Sequence, residues 1–436
     1  MNITETIRDL FHQPYFISFL AVFACFCFYT LKDGKSTPFK KIIWITYTSL
    51  AIVTFLIFVV SAINRYYDPQ VWDFGAWYLY GKVAAPGYNY YSPENFNTVF
   101  NSILPSLPLP LSDYGGFVEA AVNVGFPYPP PTILYFAPLG FFTYNAAYIV
   151  WTSFSMVFVV ADVYLIYSLF FKSYRWNGLL LASILFFIFL PTLSTISFSQ
   201  TNFFLLFYLL MMAKYPDKKF TGILFTLAVF TKPYMLILGL FFILRKKWGI
   251  ILYSILSAIL LNGLIFILYG KDIFISYLFD NPTNRAASWA FSEKVNQSLN
   301  AVLLRHHLIT LDHPVVYVYI IAGILLLMGL FLGFLLKRKL YDFILPTLLL
   351  VGLLIYPGTL SHYGVILLFI IFQFFEEKNQ LGFKPYFNIF IIAAFFYLTT
   401  ISVFSAICFL IITIVFKAFL LNTPERNLSK IVNQRI

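Results

Sequence analysis

An aspartate beside an apolar segment, Asp73, is the first side chain along the sequence that could do chemistry. It stands in "YYDPQVWDFGAWYLYGK", among aromatic residues that follow a long apolar stretch. Burial beside rings raises the pKa of a carboxylate, so that it can accept a proton from a hydroxyl group. The same position also suits the cap of an interfacial helix, and the nearby Asp68 is expected to be solvated. Asp73 is therefore a candidate general base.

A lysine at the centre of an apolar segment, Lys232, is the most costly residue in the chain. It precedes Pro233 in the apolar stretch 220–244. A lysine at the middle of a membrane helix costs roughly 2.5 to 3.5 kcal/mol on insertion scales. Such a charge requires an anionic partner. Two candidates are Asp162, which lies deep in a predicted helix, and the phosphate of a bound lipid.

Two further cationic or titratable side chains could bind a phosphate. Arg305 follows the polar run "SEKVNQS", and arginine is the usual bidentate partner of phosphate oxygens. His362 lies in the polar break "YPGTLSHYG", and histidine can donate a hydrogen bond near neutral pH. The structural alternatives are an arginine that snorkels toward headgroups and a histidine satisfied within the protein.

Four side-chain amides are candidates for sugar or phosphate binding. Gln200 and Asn202 begin an apolar segment, and Asn296 and Gln297 precede Arg305. An amide can donate to and accept from a hydroxyl, but it can equally hold two membrane helices together. The residue types leave both interpretations open.

Several common catalytic arrangements are missing from the sequence. We find no paired carboxylates of the metal-binding kind, no glycine-rich phosphate loop and no Gly-x-Ser-x-Gly element. The three cysteines, Cys25, Cys27 and Cys408, have neither metal-ligand spacing nor an even disulfide pattern. We therefore expect no bound metal.

The elements that position these residues must be membrane helices. Hydrophobic residues make up 60% of the 436 positions and charged residues 11%, against roughly a quarter charged in soluble domains. The apolar blocks predict an all-α polytopic bundle of about thirteen helices. They run near 15–31, 42–63, 144–171, 176–195, 201–213, 220–231, 233–244, 248–269, 314–336, 341–359, 363–375, 386–399 and 401–420. Several have only 12 or 13 residues, roughly 18 Å, which predicts hairpins beneath a cavity at the outer face.

The orientation follows from the basic residues. Seven clusters beginning at Lys32, Lys172, Lys214, Arg245, Lys337, Lys378 and Lys417 hold 21 of the 29 Lys and Arg. The positive-inside rule places them in the cytoplasm and the N-terminus outside. The net charge of +11 is then a cytoplasmic excess, and we expect no nucleic-acid partner.

Two outer segments, 64–131 and 270–313, are too long to be simple connectors. The first contains amphipathic, aromatic stretches that predict interfacial helices. No soluble domain is evident, so we interpret 1–436 as a single transmembrane domain.

Taken in order, these pieces resemble the polyprenol-phosphate-mannose-dependent alpha-mannosyltransferases of glycosyltransferase family 87, in the membrane-embedded GT-C class. The resemblance spans about residues 70–375. The motifs that carry it are Asp73-Phe74 with Trp77-Tyr78, Tyr128-Pro129-Pro130, Trp151, Gln200 with Asn202, Lys232-Pro233-Tyr234, Asn296-Gln297-Ser298 with Arg305, and His362-Tyr363. Ser199 stands where the family usually has glycine.

The resemblance implies an inverting transfer of a hexose, in the first place mannose, from a polyprenyl-phosphate donor to a glycan or glycolipid at the outer face. It makes Asp73 the catalytic base and gives the donor phosphate to Lys232, Arg305 and His362. The substrate-binding residues would then be Gln200, Asn202, Asn296, Gln297 and Tyr363. The resemblance requires no cofactor and implies a multi-pass protein among the lipids of the plasma membrane, such as a bacterial inner membrane.

A transporter or flippase for a lipid-linked or anionic substrate is the alternative, because it too would place polar residues at broken helices. Such proteins often consist of two corresponding halves, and the sequence shows no such repeat.

The predicted orientation can be tested at Asn97, in the first outer segment. A cysteine introduced there by Asn97→Cys should react with a membrane-impermeant thiol reagent added outside intact cells. The parent chain is the control, because its own cysteines lie in apolar segments. Labelling only by reagents that have entered the cytoplasm would reverse the topology.

Overall fold

The computed structural model describes residues 13–32, 37–64, 72–103, 126–280, 294, 296–310, 314–375 and 381–421. The first half contains α1 (Pro14–Leu31), α2 (Pro38–Asn64), α3 (Trp72–Ala84), α4 (Pro93–Ile103), α5 (Tyr144–Ile166), α6 (Arg175–Ile188), α7 (Leu190–Ser197) and α8 (Asn202–Lys214). The second half contains α9 (Thr221–Thr231), α10 (Gly239–Leu244), α11 (Trp248–Tyr269), α12 (Asp272–Ile275), α13 (Leu299–Arg305), α14 (Pro314–Lys337), α15 (Ile344–Ile355), α16 (Leu367–Gln373), α17 (Pro385–Ile401) and α18 (Val403–Leu420). Helices of the 3-10 type cover Pro130–Tyr135, Ala137–Phe141, Pro233–Leu238, Tyr341–Phe343 and Ser361–Ile366.

The all-α polytopic fold predicted from composition is confirmed. Six helical stretches of the described chain are long and apolar enough to cross a membrane, and six shorter apolar helices accompany them. The described residues form no named strand and only the isolated bridge between Asn296 and Leu360. Helices α11 and α14 leave large apolar side chains exposed, such as Leu260 and Leu327. Lipid is the solvent that suits such faces.

The predicted helix positions agree with the structure in most segments, although those at 233–244 and 363–375 begin as 3-10 helices. The segment expected as one helix over 176–195 is two helices, α6 and α7, separated by the extended residue Phe189. Pro191 explains the break, because its ring restricts the preceding residues and removes a backbone donor. The predicted interruption at Lys232-Pro233 is confirmed, since Lys232 is extended between α9 and a 3-10 helix.

The described residues of the basic clusters lie at one end of the bundle, which we call the basic end. The Lys32 ammonium lies 5.2 Å from the ring centre of Tyr174, beside the Lys172 cluster. Phe28 and Phe375 are in ring contact there, and Lys417 donates to the carbonyl of Gly382. This is the end that the positive-inside rule predicts to be cytoplasmic. The opposite end, which we call the polar end, carries the candidate functional residues.

A close glycine contact fixes α3 at the polar end. Gly81 of α3 faces Gly140 of the 3-10 helix Ala137–Phe141. A methyl group added at Gly81 would clash with the carbonyl of Phe136, and one added at Gly140 would clash with the carbonyl of Gly81. Nearby, the hydroxyls of Tyr90 and Tyr91 donate to the carbonyls of Pro130 and Tyr128 at 2.9 and 2.6 Å. These contacts attach the first outer segment to the 3-10 helices 130–141 that precede α5, a segment that we call the dip.

We predict that Gly140→Ala destabilises the protein by about 1 to 3 kcal/mol, the usual range for overpacking a tight contact. Thermal unfolding of the purified protein in detergent measures this effect. Gly263→Ala in α11 is the matched control and should change little, because nothing lies within 4 Å of its added methyl group. Equal melting temperatures for Gly140→Ala and the parent would contradict the contact.

Candidate functional site

The site is built around the ammonium group of Lys232, which is 1% exposed. Pro233 prevents α9 from continuing, so the chain turns at Lys232 and the side chain points into the bundle. The Nζ atom donates to the hydroxyls of Tyr128 at 3.0 Å and Tyr363 at 2.7 Å. It also lies 4.8 and 3.9 Å from the centres of these two rings. Phenol oxygens and ring faces together stabilise a buried cation.

Aromatic side chains from four parts of the chain surround this lysine. The ring of Trp77 in α3 lies 5.2 Å from that of Tyr128. On the other side, Tyr234 stacks against Tyr363 and contacts Tyr356, with centroids 6.1 and 5.4 Å apart. These rings exclude water from the cation, which strengthens its electrostatic effect on any anion that enters.

The structure excludes the pairing of Lys232 with Asp162. Asp162 is fully buried in α5, and neither carboxylate oxygen makes a hydrogen bond or ion pair. Of the two partners considered for Lys232, the structural ion pair with Asp162 is therefore excluded. Asp162 lies within α5, whereas Lys232 follows the end of α9.

His362 lies beside the lysine, on a 3-10 helix that α7 and α8 hold in place. Its backbone carbonyl accepts hydrogen bonds from Asn202 and from Thr195, both at 3.2 Å. Its ring is 5% exposed, and the Nε2 atom has no hydrogen-bond partner within the described part of the chain. A buried polar atom without a partner costs about 1 to 3 kcal/mol, and such atoms cluster where a ligand supplies the missing bond.

The turn before α8 explains the glycine expected at position 199. Ser199 has a φ of 51°, in the left-handed region that favours glycine. Its carbonyl accepts a hydrogen bond from the indole of Trp151 at 2.8 Å. This turn orients Gln200 and Asn202, which are both buried. Serine therefore adopts here, with some strain, a backbone conformation that glycine adopts freely.

The segment Asn296–Ser298 packs against the loop before His362. The Asn296 side chain and the Ser298 hydroxyl both donate to the carbonyl of Pro357, at 2.8 and 3.0 Å. The Gln297 side chain accepts from Ser402 at 2.7 Å, at the start of α18. These contacts give Asn296 and Gln297 a structural role. Their predicted role in substrate binding stays a prediction.

Arg305 closes the same segment. Its guanidinium donates to the backbone carbonyl of Asn296 at 2.8 Å, and partial burial lowers its pKa below the usual value. The arginine remains charged at any physiological pH. The segment beginning at Asn296 and the loop 356–360 connect Arg305 to His362. Arg305 itself makes no hydrogen bond to Lys232.

Asp73 lies in the first turn of α3, and its side chain is outside the described residues, as is the whole of Asp68. Trp77 follows Asp73 by one helical turn, and residues four apart share a helix face. Since Trp77 contacts Tyr128, helix α3, which also carries Asp73, packs beside the aromatic residues around Lys232.

Two tyrosines belong to the site although the sequence analysis assigned them no chemical role. Tyr128 was part of a motif, yet its contact with Lys232 depends on the dip. The hydroxyl of Tyr234 is buried and has no partner among the described residues. The signal for Tyr234 was its position directly after Lys232-Pro233, where a 3-10 turn brings both side chains to one site.

These features define a class: a polytopic all-α membrane protein with a buried cation and unsatisfied polar groups at broken helices. The sequence profile described as Glycosyltransferase family 87 matches residues 126–360, more than half of the chain. The chain therefore belongs to glycosyltransferase family 87. The matched span includes Lys232 and Arg305, whereas Asp73 and His362 lie outside it.

No curated protein and no solved structure matches the chain. Within the described residues, no three His, Cys, Asp or Glu side chains come close enough to hold a metal ion. Membership of the family makes the protein a glycosyltransferase in a multi-pass membrane fold and disfavours the transporter alternative.

Proposed function

We propose that this glycosyltransferase moves a hexose, in the first place mannose, from a polyprenyl monophosphate to a glycan or glycolipid acceptor at the outer face of the membrane. The observation that carries the proposal is the buried Lys232 ammonium between Tyr128 and Tyr363. A buried cation is complementary to a phosphate, since removal from water strengthens their attraction.

A lipid-linked donor fits the architecture around Lys232. Helices α8 and α9 have only 13 and 11 residues, and the chain turns at Lys232 inside the apolar region. A phosphate can approach this depth at low cost when it is attached to a chain that is itself soluble in lipid. The large apolar faces exposed on α11 and α14 are surfaces on which such a tail can lie.

The proposed reaction is a single displacement with inversion. The acceptor hydroxyl oxygen attacks the anomeric carbon, and Asp73 takes the hydroxyl proton. The bond between the anomeric carbon and the phosphate oxygen breaks, and polyprenyl phosphate leaves with one more negative charge. Lys232 stabilises this charge. Because the charge grows in the transition state, the interaction lowers the barrier to transfer in addition to binding the donor.

The neighbouring side chains have supporting roles in the proposal. His362 Nε2 and the Tyr234 hydroxyl lack partners within the described chain and can bond to the phosphate or the sugar. Arg305 adds positive charge from the second outer segment. No residue in this scheme depends on a metal or a cofactor.

We predict that Lys232→Met folds but binds a polyprenyl-phosphate sugar at least about 30-fold more weakly, the lower range for truncating one partner of a buried charge pair. Equilibrium binding of a fluorescent polyprenyl-phosphate mannose in detergent measures the effect. Asp162→Asn is the control and should bind like the parent, because the Asp162 carboxylate does not contact Lys232. Unchanged donor affinity in Lys232→Met would exclude the phosphate role.

We predict that Asp73→Asn keeps the fold and the donor affinity but loses turnover by roughly 100-fold or more, because asparagine cannot accept a proton. Transfer of labelled sugar by the purified variants measures this loss. Asp68→Asn is the matched control in the same segment and should cost little. Normal turnover in Asp73→Asn with loss in Asp68→Asn would move the base by five residues; normal turnover in both would rule out the mechanism.

A further inference from the structure

A cavity of about 300 Å³ lies at the basic end of the bundle, remote from Lys232. Helical segments that meet there supply its apolar walls, through Phe170, Leu209, Met212, Phe242, Leu345 and Phe369. Its volume is at the lower limit of pockets that hold small ligands. Such a cavity is suited to an apolar chain.

One wall of this cavity carries a buried amide with no partner. Gln373, the last residue of α16, lines the cavity and is 6% exposed. Its side chain makes no hydrogen bond to any residue within the described ranges. An amide without a hydrogen-bond partner at a largely apolar wall favours an occupant that brings a polar atom to it.

Arg245 at the rim of the cavity is a cation whose N–H groups make no hydrogen bond to the described residues. The guanidinium of Arg245 lies 5.0 Å from the ring centre of Tyr341 and 5.9 Å from that of Phe241. It is exposed and makes no hydrogen bond or ion pair with the described part of the chain. By contrast, the neighbouring Lys247 is engaged in an ion pair with Asp217. The arginine is thus oriented by rings and still able to bind an anion.

Basic residues outnumber acidic ones around Arg245, although Asp217 lies near enough to interact with it electrostatically. Lys246 and Lys339 belong to the basic loops beside Arg245 and Tyr341, and one carboxylate, Asp342, also lines the cavity. A basic pocket between helix ends, next to the membrane surface, attracts the headgroup of an acidic lipid at about 1 kcal/mol for each lysine or arginine.

We propose that this cavity binds one acidic phospholipid from the leaflet at the basic end, separately from the transfer reaction. Its phosphate binds Arg245, an ester carbonyl accepts from the Gln373 amide, and part of one acyl chain lies against the apolar walls. The apolar lining favours a lipid over a soluble anion, and the open guanidinium favours an acidic headgroup over a neutral one. The site does not depend on the donor or acceptor proposed for Lys232.

Native mass spectrometry of the purified full-length protein tests this site. Phosphatidylglycerol or phosphatidylcholine of the same acyl composition is added in increasing amounts, and thermal unfolding is measured in parallel. The parent should retain one phosphatidylglycerol in preference to phosphatidylcholine and be stabilised by it. Arg245→Gln should weaken that binding about fivefold, the effect of one charge near the surface. Gln373→Leu should also weaken it without destabilising the empty protein, since the lost amide has no partner there.

Lys218→Gln is the matched control, because it removes the same charge from an exposed loop at the same end without lining the cavity. It should bind phosphatidylglycerol like the parent. Equal weakening by Lys218→Gln and Arg245→Gln would overturn the site in favour of diffuse attraction. Equal retention of the two lipids by the parent would overturn the preference for an acidic headgroup. Stronger binding of free inorganic phosphate than of phosphatidylglycerol would overturn the lipid as the occupant.

Discussion

The burial of the Lys232 ammonium is the constraint on which the polar end depends. A cation at this depth must be surrounded by oxygen atoms and ring faces, and in this protein they come from segments that are far apart in the sequence. Tyr128 lies just before the dip, and Tyr363 lies on the 3-10 helix before α16. The three segments must therefore meet for the lysine to be stable, and their meeting creates the site.

Non-helical backbone inside a membrane is costly unless protein satisfies it, and the structure does so by joining the breaks to one another. The Thr132 hydroxyl of the dip donates to the carbonyl of Phe230 at 2.6 Å, two residues before Lys232. Asn202 donates to the carbonyl of His362 at 3.2 Å. Each break thus uses side chains from another break or helix start. A substitution at one of them is expected to affect the others, because they share hydrogen bonds.

Most of the helices, the break at Lys232 and the family could be predicted from the sequence, because hydropathy, proline and ordered motifs are local signals. It could not identify the partner of Lys232. Asp162 was one candidate by charge, yet contact depends on which helices pack together in the bundle, which no local pattern encodes. The same limit applies to Asn296 and Gln297, whose contacts with Pro357 and Ser402 depend on packing across the chain. The residue type alone does not show whether a side-chain amide binds a sugar or a neighbouring loop.

The chain 361–373 shows how one short segment can serve both ends of the bundle. Its first turn carries His362 and Tyr363 beside Lys232, and its last residue, Gln373, lines the cavity at the basic end. The interior residues between them, such as Val365 and Leu368, are completely buried and apolar. Polar groups are confined to the ends because a helix satisfies its own backbone in the middle, whereas its ends leave donors and acceptors for side chains and ligands. An unsatisfied polar group costs more free energy in lipid than in water. A membrane protein with several short, broken helices therefore has more helix ends at which functional polar groups can be held.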